Sequence, residues 1–255
     1  METPYKRFGF EMRENVAVIA VPHVSDDFLQ SAEFVLNLSD VSADIEVDDE
    51  VRVVVVNLPA PTDGGADGSS SYSFEESHLA LPGFCESIER LDRPTIAVIH
   101  GDAVGRALEL AMACDIRIAS DSSRFGLPAI CHGLIPFNGG TQRLPRLVGK
   151  GKALEMILTG DLIDANEAHR IGLVNRIASS GSVLQTAMDL ACEMATKAPI
   201  SLRFVREAIH KGMDLSLDQG LNMEGDLYLL LYSTEDRVAG IESFRNKQKP
   251  LFKGK

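Results

Sequence analysis

The stretch Pro94-Thr-Ile-Ala-Val-Ile-His-Gly-Asp-Ala-Val-Gly-Arg-Ala-Leu-Glu-Leu-Ala-Met-Ala-Cys-Asp115 decides how this chain is read. Its first part, Thr95 to His100, is an apolar run of strand length and predicts a buried strand. A glycine turn follows, and Gly105 to Cys114 predicts a helix that is apolar on nearly every side. One carboxylate, Glu109, stands in that helix. It is costly there unless it is paired, hydrogen-bonded or used. The helix carries one other charge, Arg106, three residues earlier and so on the same face. An acid–base couple on a buried helix just past a glycine turn fits an active site. It fits a structural ion pair equally, and these residues alone leave both open.

Outward from this stretch, strands and helices alternate. Phe8 to Met12 and Val16 to Val21 predict a hairpin around Glu14-Asn15. Ser25 can cap a helix whose Phe28, Ala32, Val35 and Leu36 share one face. Val51 to Asn57 is a β-branched run and predicts a fully buried strand. Pro59 to Ser71 is too rich in Gly, Ser, Pro and Asp for a regular element, and a helical stretch interrupted by Pro82-Gly83 follows to Leu91. Downstream, Asp115 to Ser120 predicts a strand, and Pro128 to Gly140 a short strand and turn. From Thr141 the pattern is helical almost throughout, with periodic segments at Val183 to Lys197, Ser201 to Lys211, Leu217 to Leu231 and Thr234 to Asn246. The expectation is an α/β core over residues 1–198 and a helical region over 199–255 that packs on the core or on a neighbour.

Composition narrows the function classes. The chain of 255 residues is 45% apolar and 24% charged, ordinary values for a globular protein. No apolar run reaches the ~18 residues needed to cross a bilayer, and the polar, charged N-terminus does not resemble a signal peptide. The four cysteines form no CxxC pair, which argues for a reducing, cytoplasmic compartment and no metal site. A net charge of −12 disfavours nucleic acid as a partner. Charge is unevenly spread: six carboxylates lie between Asp40 and Glu50, and the last eleven residues hold five bases and no acid. That basic tail is either a solvated terminus or a contact for an anionic ligand.

Several motifs carry a resemblance. They are Arg93-Pro94-Thr-Ile-Ala, Cys114-Asp115-Ile-Arg-Ile-Ala, Phe125-Gly126-Leu-Pro128, Gly133-Leu-Ile-Pro136, Gly139-Gly-Thr-Gln-Arg-Leu144, Leu158-Thr-Gly160 and Ala168-His-Arg-Ile-Gly-Leu-Val-Asn175. The C-terminus adds Thr234-Glu-Asp-Arg237, Gly240-Ile, Phe244 and Lys249-Pro-Leu-Phe. In content and order these resemble the enoyl-CoA hydratase/isomerase (crotonase) family; the part before Val51 matches only loosely. The resemblance implies a crotonase-like ββα superhelix with a C-terminal helical trimerisation region, assembled as a homotrimer or dimer of trimers. It implies an acyl-CoA thioester as substrate, with coenzyme A part of the substrate and no separate cofactor. It also implies two backbone N–H groups that hold the thioester oxygen as charge develops on it. Gly65-Ala66-Asp67 resembles the loop that supplies the first, which makes Ala66 a donor with Asp67 beside it. Position matching puts the second at Arg106, where the family usually has glycine. Phe244 and Lys247 match positions that contact the nucleotide part of coenzyme A bound to an adjacent subunit.

One departure bears on the chemistry. Hydratases of the family hold and split water with two glutamates. Glu109 matches the first, but the position of the second is Ala129. His132, three residues on, is either a substitute proton donor or a packed turn residue. Cys131 beside it should point to the opposite face of the expected strand and form no dyad with it. Gly139-Gly140 reads as a tight structural turn, and His100 as a satisfied core residue. The leading expectation is hydration or dehydration of an enoyl-CoA with Glu109 as base. The alternatives are isomerisation or hydrolysis on the same site, or a catalytically degenerate acyl-CoA-binding protein.

Overall fold

A six-stranded sheet organises the computed structural model, which describes residues 9–29, 31–60 and 84–255. Strands β1 (Gly9–Arg13) and β2 (Val16–Ala20) form the expected antiparallel hairpin, with Glu14 in its turn at φ 53°. Next come helices α1 (Asp26–Leu29) and α2 (Ala32–Val47), strand β3 (Val53–Leu58), helix α3 (Phe84–Glu89) and strand β4 (Thr95–Ile99). The short β5 (Ala103–Val104) leads into α4 (Arg106–Ala113), followed by β6 (Ile116–Ser120) and β7 (Arg124–Gly126). After a 3-10 turn at Pro128–His132 come α5 (Gly140–Val148), α6 (Lys150–Thr159), β8 (Ile163–Asp164), α7 (Ala165–Arg170) and β9 (Arg176–Ala178). The chain closes with α8 (Val183–Ala195), α9 (Pro199–Gly212), α10 (Leu217–Leu230), a 3-10 turn at Leu231–Ser233 and α11 (Glu235–Arg245).

The main sheet runs β1-β2-β3-β4-β6-β9, parallel from β2 onward. Parallel strands need covered faces, so their sequences are apolar at consecutive positions. The alternation shows in what each face meets. Val54, Val56, Leu58, Ala97 and Ile99 join the cluster built with α2, α3 and α4, while Val53, Val55, Ile96 and Val98 pack against Val183, Ala187 and Ala191 of α8. A second sheet, β5-β7-β8, stands beside the first.

Three expectations are corrected. The helix after Ser25 is two helices. Ser25 Oγ accepts from the Phe28 N–H, then Ser31 Oγ accepts from the Phe34 N–H and starts a new one. The restart shifts the apolar stripe to Phe34, Leu38, Val41 and Ile45, so Leu36 faces solvent. The segment from Pro128 is a 3-10 turn rather than a strand, because Pro128 has no N–H for a ladder and its fixed φ suits a helical start. The local strand, β7, lies just upstream. The stretch after Thr141 is not wholly helical either: β8 and β9, two and three residues long, are too short to show a period.

The C-terminal helices are tied to the core by charge. Arg206 of α9 donates from Nε to Asp115 at 2.8 Å and reaches the backbone oxygens of Leu91 and Glu89. His210 Nε2 lies 2.6 Å from the other Asp115 oxygen. Arg52 donates to the Phe252 carbonyl, and Asp236 accepts from the N–H groups of Lys253 and Gly254, which fastens the tail.

Candidate active site

The site grows from the end of β4. Beyond the short β5 the chain turns through Gly105, whose φ of 59° and ψ of −124° suit glycine alone, and enters α4 at Arg106. Because the unusual angles fall on Gly105, Arg106 enters α4 without a positive φ. Its N–H belongs to the first helical turn, where amides have no acceptor inside the helix. Ala, Leu and Met are good helix formers, and every residue from Ala107 to Ala113 is buried. Glu109 is among them at 3% exposure.

Two backbone amides meet that carboxylate. The Asn138 N–H donates to Glu109 Oε1 at 2.8 Å and the Gly140 N–H donates to the same oxygen at 2.9 Å. Gly140 opens α5, so its amide has no helical acceptor of its own and the helix dipole favours an anion there. Gly139 takes φ 96°, a left-handed value, and a side chain on it would collide with the Arg143 guanidinium. A Cβ at Gly140 would stand 2.7 Å from Pro136 Cβ, 2.9 Å from Leu127 Cδ1 and 3.0 Å from Glu109 Oε1. The Gly139-Gly140 pair expected to be a plain turn is therefore the seat of the carboxylate. Its signal was present in the sequence: two adjacent glycines at the start of a helix, downstream of an acid in an apolar helix.

Arg143 stands behind the turn. Its guanidinium donates to the Asn138 carbonyl through Nη1 and to Glu89 of α3 through Nε. Burial works against the Arg143 charge, but the hydrogen bond to Glu89 and the charges of Glu89 and Glu109 outweigh it and hold the proton more firmly than usual. Cys85 is buried in the same neighbourhood, and desolvation pushes its thiol well up, so it stays a neutral thiol.

The remaining expected residues scatter. Ala66 and Asp67 lie outside the described residues. Ala129 is buried in the 3-10 turn, while Cys131 and His132 at its end are exposed. The argument from alternating strand faces does not apply to that pair, since the backbone there is helical. Cys131 Sγ packs toward Gly160, which turns the chain at φ 73°. His100 Nε2 lies 2.7 Å from Asn57 Oδ1, joining the ends of β3 and β4, and desolvation lowers its pKa. Phe244 and Lys247 are exposed at the end of α11, in the C-terminal layer. Among the described residues, no cluster of His, Cys, Asp and Glu could hold a metal ion, and no helix is long and apolar enough to cross a membrane.

A sequence model of the enoyl-CoA hydratase/isomerase family matches residues 12–255. The chain belongs to this family. It is 37% identical over 229 residues to a probable mitochondrial enoyl-CoA hydratase 2 of Arabidopsis thaliana, a match covering 87% of this chain and 76% of that protein. It is 34% identical over 252 residues to the short-chain-enoyl-CoA hydratase of Clostridium acetobutylicum, covering 94% of each. Among solved structures, the enoyl-CoA hydratase of Bacillus anthracis superposes with a TM-score of 0.88 at 31% identity, over 98% of this chain and 100% of that one. The crotonase fold and an enzyme of the acyl-CoA class follow from membership.

Proposed function

We propose that the protein moves a proton at the α-carbon of an acyl-CoA thioester, with Glu109 as the base, and that its reaction is hydration of an enoyl-CoA or the reverse dehydration. The observation that carries this reading is the seat of Glu109: a carboxylate at 3% exposure whose Oε1 takes two backbone amides. Hydrogen bonds to the charged form favour ionisation. With Oε1 held by the turn, the carboxylate has a fixed orientation in which to take the proton. The N–H groups of Arg106 and Ala66 would hold the thioester oxygen while negative charge develops on it.

Ala129 replaces the second family glutamate, so one carboxylate handles both transfers. In dehydration, Glu109 takes the α-proton of a 3-hydroxyacyl-CoA. The electron pair collapses to the α,β double bond, and the same proton leaves with the β-hydroxyl as water. Atoms and charge balance without a second acid. His132, exposed at the end of the 3-10 turn, is the nearest sequence candidate for a supplementary donor. Isomerisation is the second reading, favoured by the same replacement at Ala129, because returning the α-proton to the γ-carbon also needs only one base.

Phe244 and Lys247 would meet the nucleotide end of coenzyme A on a neighbouring copy. Apolar side chains are exposed along α9 and α10, among them Ile209, Leu217, Leu221 and Leu229, and neither helix has a buried residue, which supports a homotrimer or dimer of trimers. The test is a panel of 2-enoyl, 3-enoyl and 3-hydroxyacyl-CoA thioesters with the wild type and Glu109→Gln. Product identity separates hydration from isomerisation. Equal turnover by both proteins would remove the base, and binding without turnover on every thioester would leave only an acyl-CoA-binding role.

A further inference from the structure

We propose that Arg143 is a positioning residue for Glu109, acting through the peptide plane that links the two amides on its carboxylate; the inference rests on Glu109 being the base. The geometry is one of three successive peptide planes. The first, between residues 137 and 138, carries the Asn138 N–H, and the third, between 139 and 140, carries the Gly140 N–H; both donate to Glu109 Oε1. The third plane is fixed at its other end, because the Gly139 carbonyl accepts from the Arg143 and Gln142 amides at 2.7 and 3.0 Å as α5 begins. The middle plane, between 138 and 139, is the joint, and its carbonyl, that of Asn138, accepts from Arg143 Nη1. Gly139 makes the joint loose on its own account, since glycine at φ 96° has wide access to other angles. The guanidinium removes that freedom.

The side chain is itself held. Glu89 of α3 takes Arg143 Nε, and the Arg143 side chain is only 18% exposed against 38% for Glu89. The planar fork matters here. One edge goes to a carboxylate and one tip to a carbonyl at fixed relative angles, which a lysine ammonium on a flexible stem cannot reproduce. Removing Arg143 leaves both amide donors present but lets the plane between them turn, so Glu109 loses its aim rather than its partners. A misplacement of that kind reaches the chemical step and leaves ground-state binding alone.

The experiment combines kinetics with amide exchange on the full-length protein. In Arg143→Gln, kcat on the best thioester is expected to fall ~10–100-fold with KM within about threefold, and Arg143→Lys is expected to recover part of the loss. Hydrogen–deuterium exchange of the peptide spanning residues 136–142 is expected to quicken at least about tenfold in Arg143→Gln, while peptides of β3 and β4 keep their protection. Glu89→Gln loosens the guanidinium without deleting it and should show the same signs at smaller size, which keeps the test open should Arg143→Gln fold poorly. Unchanged exchange in residues 136–142 overturns the proposal whatever the kinetics show. So does a change confined to KM, or full activity in Arg143→Gln. If the wild type and Glu109→Gln turn over alike, the base reading fails by itself, and faster exchange in Arg143→Gln would still establish the clamp on the carboxylate.

Discussion

Glu109 and Asp115 sit six residues apart in one stretch of chain, both are carboxylates with little access to water, and the structure treats them differently. Asp115 is answered by Arg206 and His210 of α9 and by the hydroxyl and backbone N–H of Thr95. Glu109 is answered by neutral backbone amides from a glycine turn. An acid matched by a guanidinium N–H has its charge offset by a cation and serves to join two parts of the molecule. An acid held by backbone amides is fixed in place by dipoles, which is the arrangement the proposed base would use. On the proposed reading, the kind of partner, more than burial, separates a structural carboxylate from a reactive one.

The sharpest way to break this comparison is to neutralise each acid and ask which property fails. Glu109→Gln should lower turnover ~10²–10⁴-fold, the usual cost of losing a placed proton-transfer group. Its stability should change by no more than ~1 kcal/mol, because the amide oxygen of Gln can still accept from the turn. Asp115→Ala should do the reverse. It leaves Arg206 half-paired at the joint of core and C-terminal layer, and should lower unfolding stability by roughly 3 kcal/mol, read by denaturant midpoint, with kcat on intact protein close to wild type. A large stability loss in Glu109→Gln, or a large kcat loss in stable Asp115→Ala, would reverse the assignment.

Gly140→Ala attacks the seat of Glu109 rather than the acid. The new methyl would meet Pro136, Leu127 and Glu109 Oε1 at 2.7–3.0 Å, so the turn must retreat from the carboxylate. A fall in kcat of ~10–100-fold with little change in KM is expected. Unchanged kcat would mean that the amides do not aim the base. Ala129→Glu sharpens the comparison in the other direction by adding a second acid where the family pattern has one. Enoyl-CoA hydration should rise ~10-fold or more, while any isomerisation should not gain. A rise in neither would show that the missing glutamate is not what limits this site.

The fold was legible because its signals are local. Val53 to Val56 and Ile96 to Ile99 are uninterrupted apolar runs, and the helices from Val183 onward show their period plainly. Glu109 was legible because a lone acid among Ala, Leu and Met has no other explanation than a partner or a use. Its partners were not, since Asn138 and Gly140 contribute backbone N–H groups that no side chain announces. Arg206 and His210 were missed for a different reason: they stand 91 and 95 residues from Asp115, and no spacing rule reaches that far. The short strands β7, β8 and β9 are fixed by neighbours rather than by their own pattern. The motif residues Asp115, Arg117 and Asn175 carried the family resemblance, yet they serve the scaffold. Arg117 donates to the Leu173 and Cys114 carbonyls and its N–H goes to Asn175.

The smallest expected effect is the acid limb of stability, and its sign tests the structural half of the comparison. For Asp115, burial alone would raise the pKa, but the hydrogen bonds from His210, Arg206 and the Thr95 backbone, with the Arg206 charge, outweigh it and hold the carboxyl below its usual 3.8. A depressed folded pKa stabilises the native state above the unfolded value, and that stabilisation is lost as pH falls through the folded one. The midpoint of thermal unfolding should therefore drop on acidification below about pH 4, and part of that drop should be missing in Asp115→Asn, which starts less stable and declines along a flatter line. Parallel lines for the two proteins would mean that protonating Asp115 costs the fold nothing. Arg206 and His210 would then be held to the core by their other contacts, and the contrast between a cation-matched and an amide-matched acid would lose its structural side.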